Sequence, residues 1–390
     1  MKLLEIFLTF LRLGLTSFGG PIAHLSYFHE EFVKKKKWLD EHSYADLVAL
    51  CQFLPGPASS QVGMAIGLNQ SGFLGALAAW IGFTLPSAIL LIMFGMGMTH
   101  FNLQSHQNVL HGLKVVAVSV VAQAVYGMWK KLCPDKARSL MAIISCTSVL
   151  FFSAAYVPLI VLLIAGVFGS FFFQSTFQLP HVPVKEKLGR KLGAGCLIVF
   201  FCILLFAPLL RSFYQAPSLM LFDSFFRAGS LVFGGGHVVL PLLQAEVVTP
   251  GWVSKDLFMA GYGLAQAIPG PLFAFSAYLG TVSTLSFNGW SGGLFSLSAA
   301  FLPSFLLIAG VLPFWEKLRT YDRIRKAMLG INASVVGILL AAFFHPVCSS
   351  AIFNLKDFLV ALIGFILLEK WKAPSWSVVM LSALISLIIF

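Results

Sequence analysis

The sequence predicts an all-α polytopic membrane protein made of two inverted-topology repeats with broken or re-entrant helices. Three observations predict it. Apolar residues make up 58% of the 390 and come in long runs, with only 11% charged, far too little charge to coat a soluble domain of this size. A set of short motifs occurs twice in the same order. The basic clusters change sides between the two occurrences.

The apolar runs set the class. Gly72 to Met98 and Leu192 to Leu210 each reach the roughly 20 residues that cross a hydrocarbon core. A β-barrel is excluded, because its strands would be short and alternating. About thirteen apolar elements can be drawn by the 20-residue criterion. Six lie in residues 3–175, six in 216–390, and one, Leu192 to Phe213, joins them. The polar stretch from Ser175 to Lys191, with its prolines and charges, marks the boundary. The division is therefore a first repeat (1–175), a linker with a joining helix (176–215) and a second repeat (216–390).

The net charge of +11 does not point to nucleic acid, since the basic residues sit in short clusters between apolar runs, as the positive-inside rule requires. The cysteines Cys51, Cys133, Cys146, Cys196, Cys202 and Cys348 contain no CxxC pair and lie mostly in apolar runs. They read as small packing residues, neither disulfides nor metal ligands. Glu5 and Arg12 interrupt any apolar core at the N-terminus, so it does not read as a cleavable signal.

The duplication is residue by residue. LRLGLTSFGG (Leu11 to Gly20) returns in FRAGSLVFGGG (Phe226 to Gly236), with Arg12 matching Arg227, Gly14 matching Gly229 and Phe18 matching Phe233. QFLPGP (Gln52 to Pro57) matches QAIPGP (Gln266 to Pro271). Glu31 with Trp38 matches Glu246 with Trp252, and LPSAILL (Leu85 to Leu91) matches LPSFLLI (Leu302 to Ile308).

The joining helix turns the second copy over, and the basic residues agree. Lys34 to Lys37 and Lys130 to Arg138 are rich in charge, while Thr99 to Val109 carries no Lys or Arg. In the second copy Thr249 to Asp256 has only Lys255 and His345 to Asp357 only Lys356, whereas Glu316 to Lys326 carries five. Inverted repeats of this kind are the design of many secondary transporters. If every element crossed, Lys34 to Lys37 would lie outside. If the first two elements of each half dip in and return, those lysines lie inside, and this arrangement is preferred. Both place the N-terminus in the cytoplasm.

The breaks suggest chemistry. Adjacent glycines, or PGP, stop a helix, and broken backbone in a membrane must face protein or an aqueous cavity. Half-helix ends present free N–H groups and a positive dipole, and arginine adds a fork of donors suited to oxyanions. The candidate substrate contacts are therefore Arg12, Gly19, Gly20, Gln52, Pro55, Gly56, Pro57 and Ser59 in the first copy, and Arg227, Gly234, Gly235, Gln266, Pro269, Gly270 and Pro271 in the second. Lys114, aligned with Asn332, is a further candidate, either a second cation on the anion path or a lysine snorkelling to the surface. Arg12 carries the same snorkelling alternative, and the paired glycines an alternative as packing contacts.

Gln52 and Gln266 either donate to the ligand or bond a carbonyl freed by the break. Ser59, Ser60 and Gln61 become Phe273, Ala274 and Phe275 in the second copy, so the polar lining is asymmetric and the first half makes most substrate contacts. His24 and His237 do not occupy matching positions. They read as structural, with proton coupling the alternative. Glu31 and Glu246 read as interfacial loop contacts, with gating the alternative. No HExxH, GxSxG, Walker loop or Cys/His metal spacing is present, so neither an enzyme nor a cofactor is expected.

At FLRLGLTSFGGP with QFLPGP, and at FRAGSLVFGGGHVVLPLL with Gly251–Trp252 and QAIPGP, the sequence resembles the chromate ion transporter family in its long two-domain form. The resemblance implies a multi-pass protein of the bacterial inner membrane. It implies export of chromate from the cytoplasm, with sulfate as a competing analogue and chromate resistance as the outcome. The mechanism expected is alternating access with the dianion held between Arg12, Arg227 and the half-helix ends. An oxyanion channel or sensor, or a carrier of another oxyanion such as sulfate, is the alternative. The partners expected are the oxyanion and the lipid bilayer, with a homodimer left open.

Overall fold

The computed structural model describes residues 3–100, 107–152, 157–174, 189–233, 239–318 and 320–389, and every regular element among them is helical. The first copy holds α1 (Leu3–Thr16), α2 (Gly20–His29), α3 (Glu41–Phe53), α4 (Ala58–His100), α5 (Gln107–Leu132), α6 (Lys136–Phe151) and α7 (Val157–Phe172). Helix α8 (Arg190–Phe213) is the joining element; most of the polar linker before it, residues 175–188, lies outside the described residues. The second copy holds α9 (Pro217–Leu231), α10 (Val239–Val247), α11 (Lys255–Ala265), α12 (Phe275–Val282), α13 (Gly289–Val311), α14 (Trp315–Leu318), α15 (Asp322–Ala342), α16 (Ser349–Ala351), α17 (Leu355–Glu369) and α18 (Ser375–Ile389).

Local chemistry sets the starts of these helices. Asp40, Asp135 and Ser254 accept the free N–H groups at the starts of α3, α6 and α11, and Asn354 with Asp357 forms a reciprocal cap on α17. In α1, Ile6, Phe10, Leu13 and Gly14 recur at helical spacing and form the buried face.

Five helical stretches among the described residues are long and apolar enough to cross a membrane: residues 58–99, 110–132, 190–213, 289–318 and 322–351. Helices α1, α2 and α3 have 14, 10 and 13 residues. At 1.5 Å per residue the longest of these reaches only about 21 Å, so none of them alone spans the roughly 30 Å of a hydrocarbon core. Lys36 Nζ stands 3.0 Å from Glu5 Oε1. The chain therefore enters through α1 and returns through α2 to the face where it began, and the lysine run shares that face. In the first copy this is the geometry that the re-entrant arrangement expects.

A second in-and-out excursion follows. Helix α3 leads to the PGP break, and the first part of α4 returns until Gln70 Nε2 donates to the Trp38 carbonyl at 3.3 Å. At Ser71 and Gly72 the backbone leaves helical geometry, Gly72 with φ 65°, and the rest of α4 makes a full crossing. The second copy repeats the contact at the equivalent place, where Thr284 N donates to the Trp252 carbonyl at 2.8 Å.

Each copy packs its first helix on its own long helix, α1 on α4 and α9 on α13. Gly14 permits the first contact, since a Cβ there would stand 2.5 Å from the Phe83 carbonyl oxygen; Gly229 meets the Ala300 carbonyl in the same way. The copies then exchange their last helices. Helix α5 is covered by α17 and α18, and α15 by α6 and α7. Ser145 Oγ meets Ser334 Oγ at 2.7 Å, Ser119 Oγ donates to the Ala361 carbonyl at 2.8 Å, and His111 Nε2 stands 2.7 Å from the buried Asp357. Leu163 and Phe171 on α7, with Phe206 and Leu209 on α8, are exposed and form apolar surface of the kind lipid covers. The six cysteines are all free, with Cys51, Cys133 and Cys146 buried.

Candidate functional site

The two PGP turns meet the ends of the two broken first helices, each across the copies. Helix α1 stops at Thr16. Gly19 and Gly20 then take φ of 98° and 75°, and Pro21 opens α2. Gly56 and Gly270 take φ of 124° and 104° at the centres of the PGP turns, conformations that favour glycine. Gly270 N donates to the Ser17 carbonyl at 3.1 Å, and Gly56 N donates to the Val232 carbonyl at 2.6 Å. Ser17 and Val232 are equivalent positions, as are Gly56 and Gly270. Each break thus satisfies a carbonyl left over at the other copy's helix end.

Sequence reasoning missed the serines of the repeated LPS motif. A Cβ on Gly270 would stand 2.9 Å from Ser87 Oγ, and one on Gly56 would stand 2.8 Å from Ser304 Oγ. Each serine lies against the other copy's PGP glycine. The signal was present as a repeated serine after a proline inside a helix, but only the fold brings it to the break.

A cavity of about 360 Å³ opens beside this crossing. Of the predicted residues Gly19, Gln52 and Gly56 line it, and Lys131, Asn332 and Glu369 supply further polar walls. Lys114, the counterpart of Asn332, is not among the lining residues; its Nζ bonds Asp256 at 2.9 Å. Pro55 and Pro57 hold the first turn, their carbonyls accepting from Gln61 Nε2 at 2.6 Å and Gln61 N at 2.9 Å. The Pro271 carbonyl accepts from Ala274 N at 2.9 Å, which starts the return after Pro269 and Gly270. Ser59 is buried and bonded to His24 Nδ1 at 3.2 Å. The Gln266 carbonyl accepts from Ser375 Oγ at 2.8 Å, and its side chain faces the Tyr262 hydroxyl. Gly234 and Gly235, with Gly236 and His237, lie outside the described residues.

A family model described as chromate transporter matches residues 4–170 and again residues 219–387. The chain belongs to the chromate transporter family. The transporter is 26% identical over 391 residues to an uncharacterized transporter of Methanocaldococcus jannaschii, covering 99% of this chain and 94% of the relative. It is also 26% identical over 390 residues to a chromate transport protein of Cupriavidus metallidurans (99% and 93% covered) and over 344 residues to one of Pseudomonas aeruginosa (86% and 79%). No solved structure matches.

The two arginines of the transporter each hold a carboxylate of their own copy. Arg12 pairs with the buried Glu31 and leaves 60% of its side chain exposed. Arg227 Nη2 stands 2.8 Å from Glu246 and 3.0 Å from Asp223. Arg211, from α8, joins this second cluster at 3.0 Å from Asp223 and stands over the Trp252 ring at 5.1 Å from its centre. The glutamates expected as loop contacts are thus the arginines' partners, and neither arginine lines the cavity. Each arginine is charge-balanced where it sits. The charged groups that line the cavity are Lys131 and Glu369, one of each sign.

Proposed function

We propose that the protein exports chromate from the cytoplasm by alternating access, with sulfate as a competing analogue. The observation that carries this reading is the reciprocal pair of bonds, Gly56 N to Val232 O and Gly270 N to Ser17 O, beside an internal cavity. Broken backbone inside a membrane protein marks a solute pathway. Bonds exchanged between equivalent positions allow one copy to rock against the other around a fixed centre. Two full crossings in each copy and one joining helix between them favour opposite orientations of the copies, in accord with the swapped basic loops.

In this reading the N-terminus and the Lys131 end of the cavity face the cytoplasm across an inner membrane, an orientation that the swapped basic loops support. The anion enters past Lys131, meets Gln52 and the free polar groups at the glycine breaks, and leaves after the copies exchange conformations. Arg12–Glu31 on one face and the Arg211–Asp223–Arg227–Glu246 cluster on the other stand where latches would hold each gate shut. Outward movement of a dianion down an inside-negative potential is favoured by about 4.6 kcal/mol per 100 mV, twice the value for one charge.

Uptake of chromate into inverted membrane vesicles tests the reading, with Arg12→Gln and Arg227→Gln as variants. Saturable uptake that sulfate inhibits, altered in both variants, is expected. Flux that never saturates would identify a channel, and absence of uptake over control vesicles would end the proposal.

A further inference from the structure

We propose that Ser17, His24 and Ser59 form a buried, neutral hydrogen-bonding seat for the oxyanion on the first copy's side of the crossing, with no counterpart among the described residues of the second; the proposal rests on the transport reading above. The contacts run in a chain. Ser59 Oγ meets His24 Nδ1 at 3.2 Å. The His24 ring packs edge-on against Phe83 with centroids 5.2 Å apart. The Ser17 carbonyl receives the Gly270 amide, and Ser87 Oγ lies 2.9 Å from where a Gly270 Cβ would be. Ser17, His24 and Ser59 are 0%, 1% and 2% exposed.

Two polar atoms at this seat are unspent. Ser17 Oγ and Oγ1 of the neighbouring Thr84 are buried with no hydrogen-bond partner among the described residues, while the His24 ring makes its remaining contact with the Ser17 backbone. Buried polar atoms are nearly always paired, and leaving them unmade is costly. In the tautomer in which Ser59 donates to Nδ1, Nε2 carries the proton, and a ligand takes that donor over from the Ser17 backbone. None of the three residues is a carboxylate, so the set offers donors to an anion without repelling it.

The second copy is an internal control for the bland explanation that the fold needs these residues. Its equivalents of Ser17, His24 and Ser59 are Val232, Val239 and Phe273. All three are buried, and the same interlocking bond forms there between Gly56 and the Val232 carbonyl. The crossing therefore forms with apolar residues at these places. At the second crossing the Gln61 Nε2 is already given to the Pro55 carbonyl. The seat lies directly behind the cavity wall, since Leu25 and Ala58, next in sequence to His24 and Ser59, line the cavity. Gly19 and Gly20 stand at the start of α2, and a Cβ on Gly20 would meet nothing within 4 Å, which leaves α2 a hinge by which to uncover the seat.

The test uses the purified full-length protein in liposomes, with chromate uptake for transport and thermal unfolding for integrity. Ser17→Val and His24→Val install the second copy's residues. Ser17→Val is expected to keep the wild-type unfolding temperature, and each variant to raise KM for chromate about tenfold or more, the loss of one donor to a charged group. His24→Gln, which retains an N–H near the Nε2 position, is expected to recover most of the loss. Wild-type KM in both valine variants overturns the seat, and so does a His24→Gln protein no better than His24→Val. If His24→Val unfolds early, Ser17→Val decides alone, with wild-type KM again overturning it. A wild-type protein that moves neither chromate nor sulfate sinks the transport reading and the seat together. Valine variants as active as a working wild type sink only the seat.

Discussion

Replacing Gly270 by alanine loads the crossing at its tightest point. The residue holds φ 104°, outside the range ordinary side chains adopt, at a cost of about 1–3 kcal/mol. The added Cβ would stand 2.9 Å from Ser87 Oγ and 3.4 Å from the Phe83 carbonyl oxygen. Ser87 can swing aside only by giving up its 2.9 Å bond to the Thr84 carbonyl, which adds about 1 kcal/mol. The sum is about 2–4 kcal/mol. With an unfolding entropy of roughly 2.1 cal/mol/K per residue, a chain of this size should lose roughly 2–5 °C in Tm. Thermal unfolding in detergent reads it. Gly270→Ala combined with Ser87→Gly should regain only the smaller share, because the backbone strain persists. Gly195→Ala, in α8 with nothing within 4 Å of its added Cβ, should be neutral or slightly stabilising. A Gly270→Ala protein that melts with the wild type would refute the interlocked turns.

Other perturbations follow from the same geometry. Glu31→Gln leaves Arg12 free but largely in solvent and should cost no more than about 1 kcal/mol. Glu246→Gln leaves Arg211 and Arg227 sharing Asp223 and should cost about 2–3 kcal/mol; chemical denaturation ranks the two. Cysteines at Ser145 and Ser334, whose hydroxyls are 2.7 Å apart, should cross-link the copies in a background lacking the six native cysteines, as a mass shift on peptide mapping reveals. Asp135, held below the usual carboxylate range by the backbone N–H of Arg138, caps α6. Asp135→Ala should destabilise by about 1 kcal/mol at neutral pH. Because the folded value is depressed, that gap is full above the ordinary value of 3.8 and closes as pH falls below it, which unfolding curves across acid pH would follow.

Much of the architecture was legible because it was written twice. Runs such as Leu192 to Leu210 gave the crossings, and the matched PGP and arginine motifs gave the copies and their breaks. The lysine run, read by the side rule, gave the re-entrant opening. What single residues do across the fold was less legible. Arg12 and Arg227 looked like open cations, because the sequence separates them from Glu31 and Glu246 by a helix break that the fold closes. Lys114 gave no sign of Asp256, which stands 142 residues away. Ser87 and Ser304 were visible only as repeats, since their contact with the opposite PGP glycine depends on how the copies interlock. His24 read as an ordinary buried histidine until its ring was seen between Ser59 and Phe83.

The account turns on two interlocked copies carrying an oxyanion through their shared centre. Counterflow in liposomes holding the purified protein tests that most directly. With chromate loaded inside and tracer chromate outside at low concentration, an exchanging carrier must accumulate tracer transiently above equilibrium. Internal sulfate should drive the same overshoot, more weakly. Tracer that only equilibrates, at a rate indifferent to what the liposomes contain, would contradict the account.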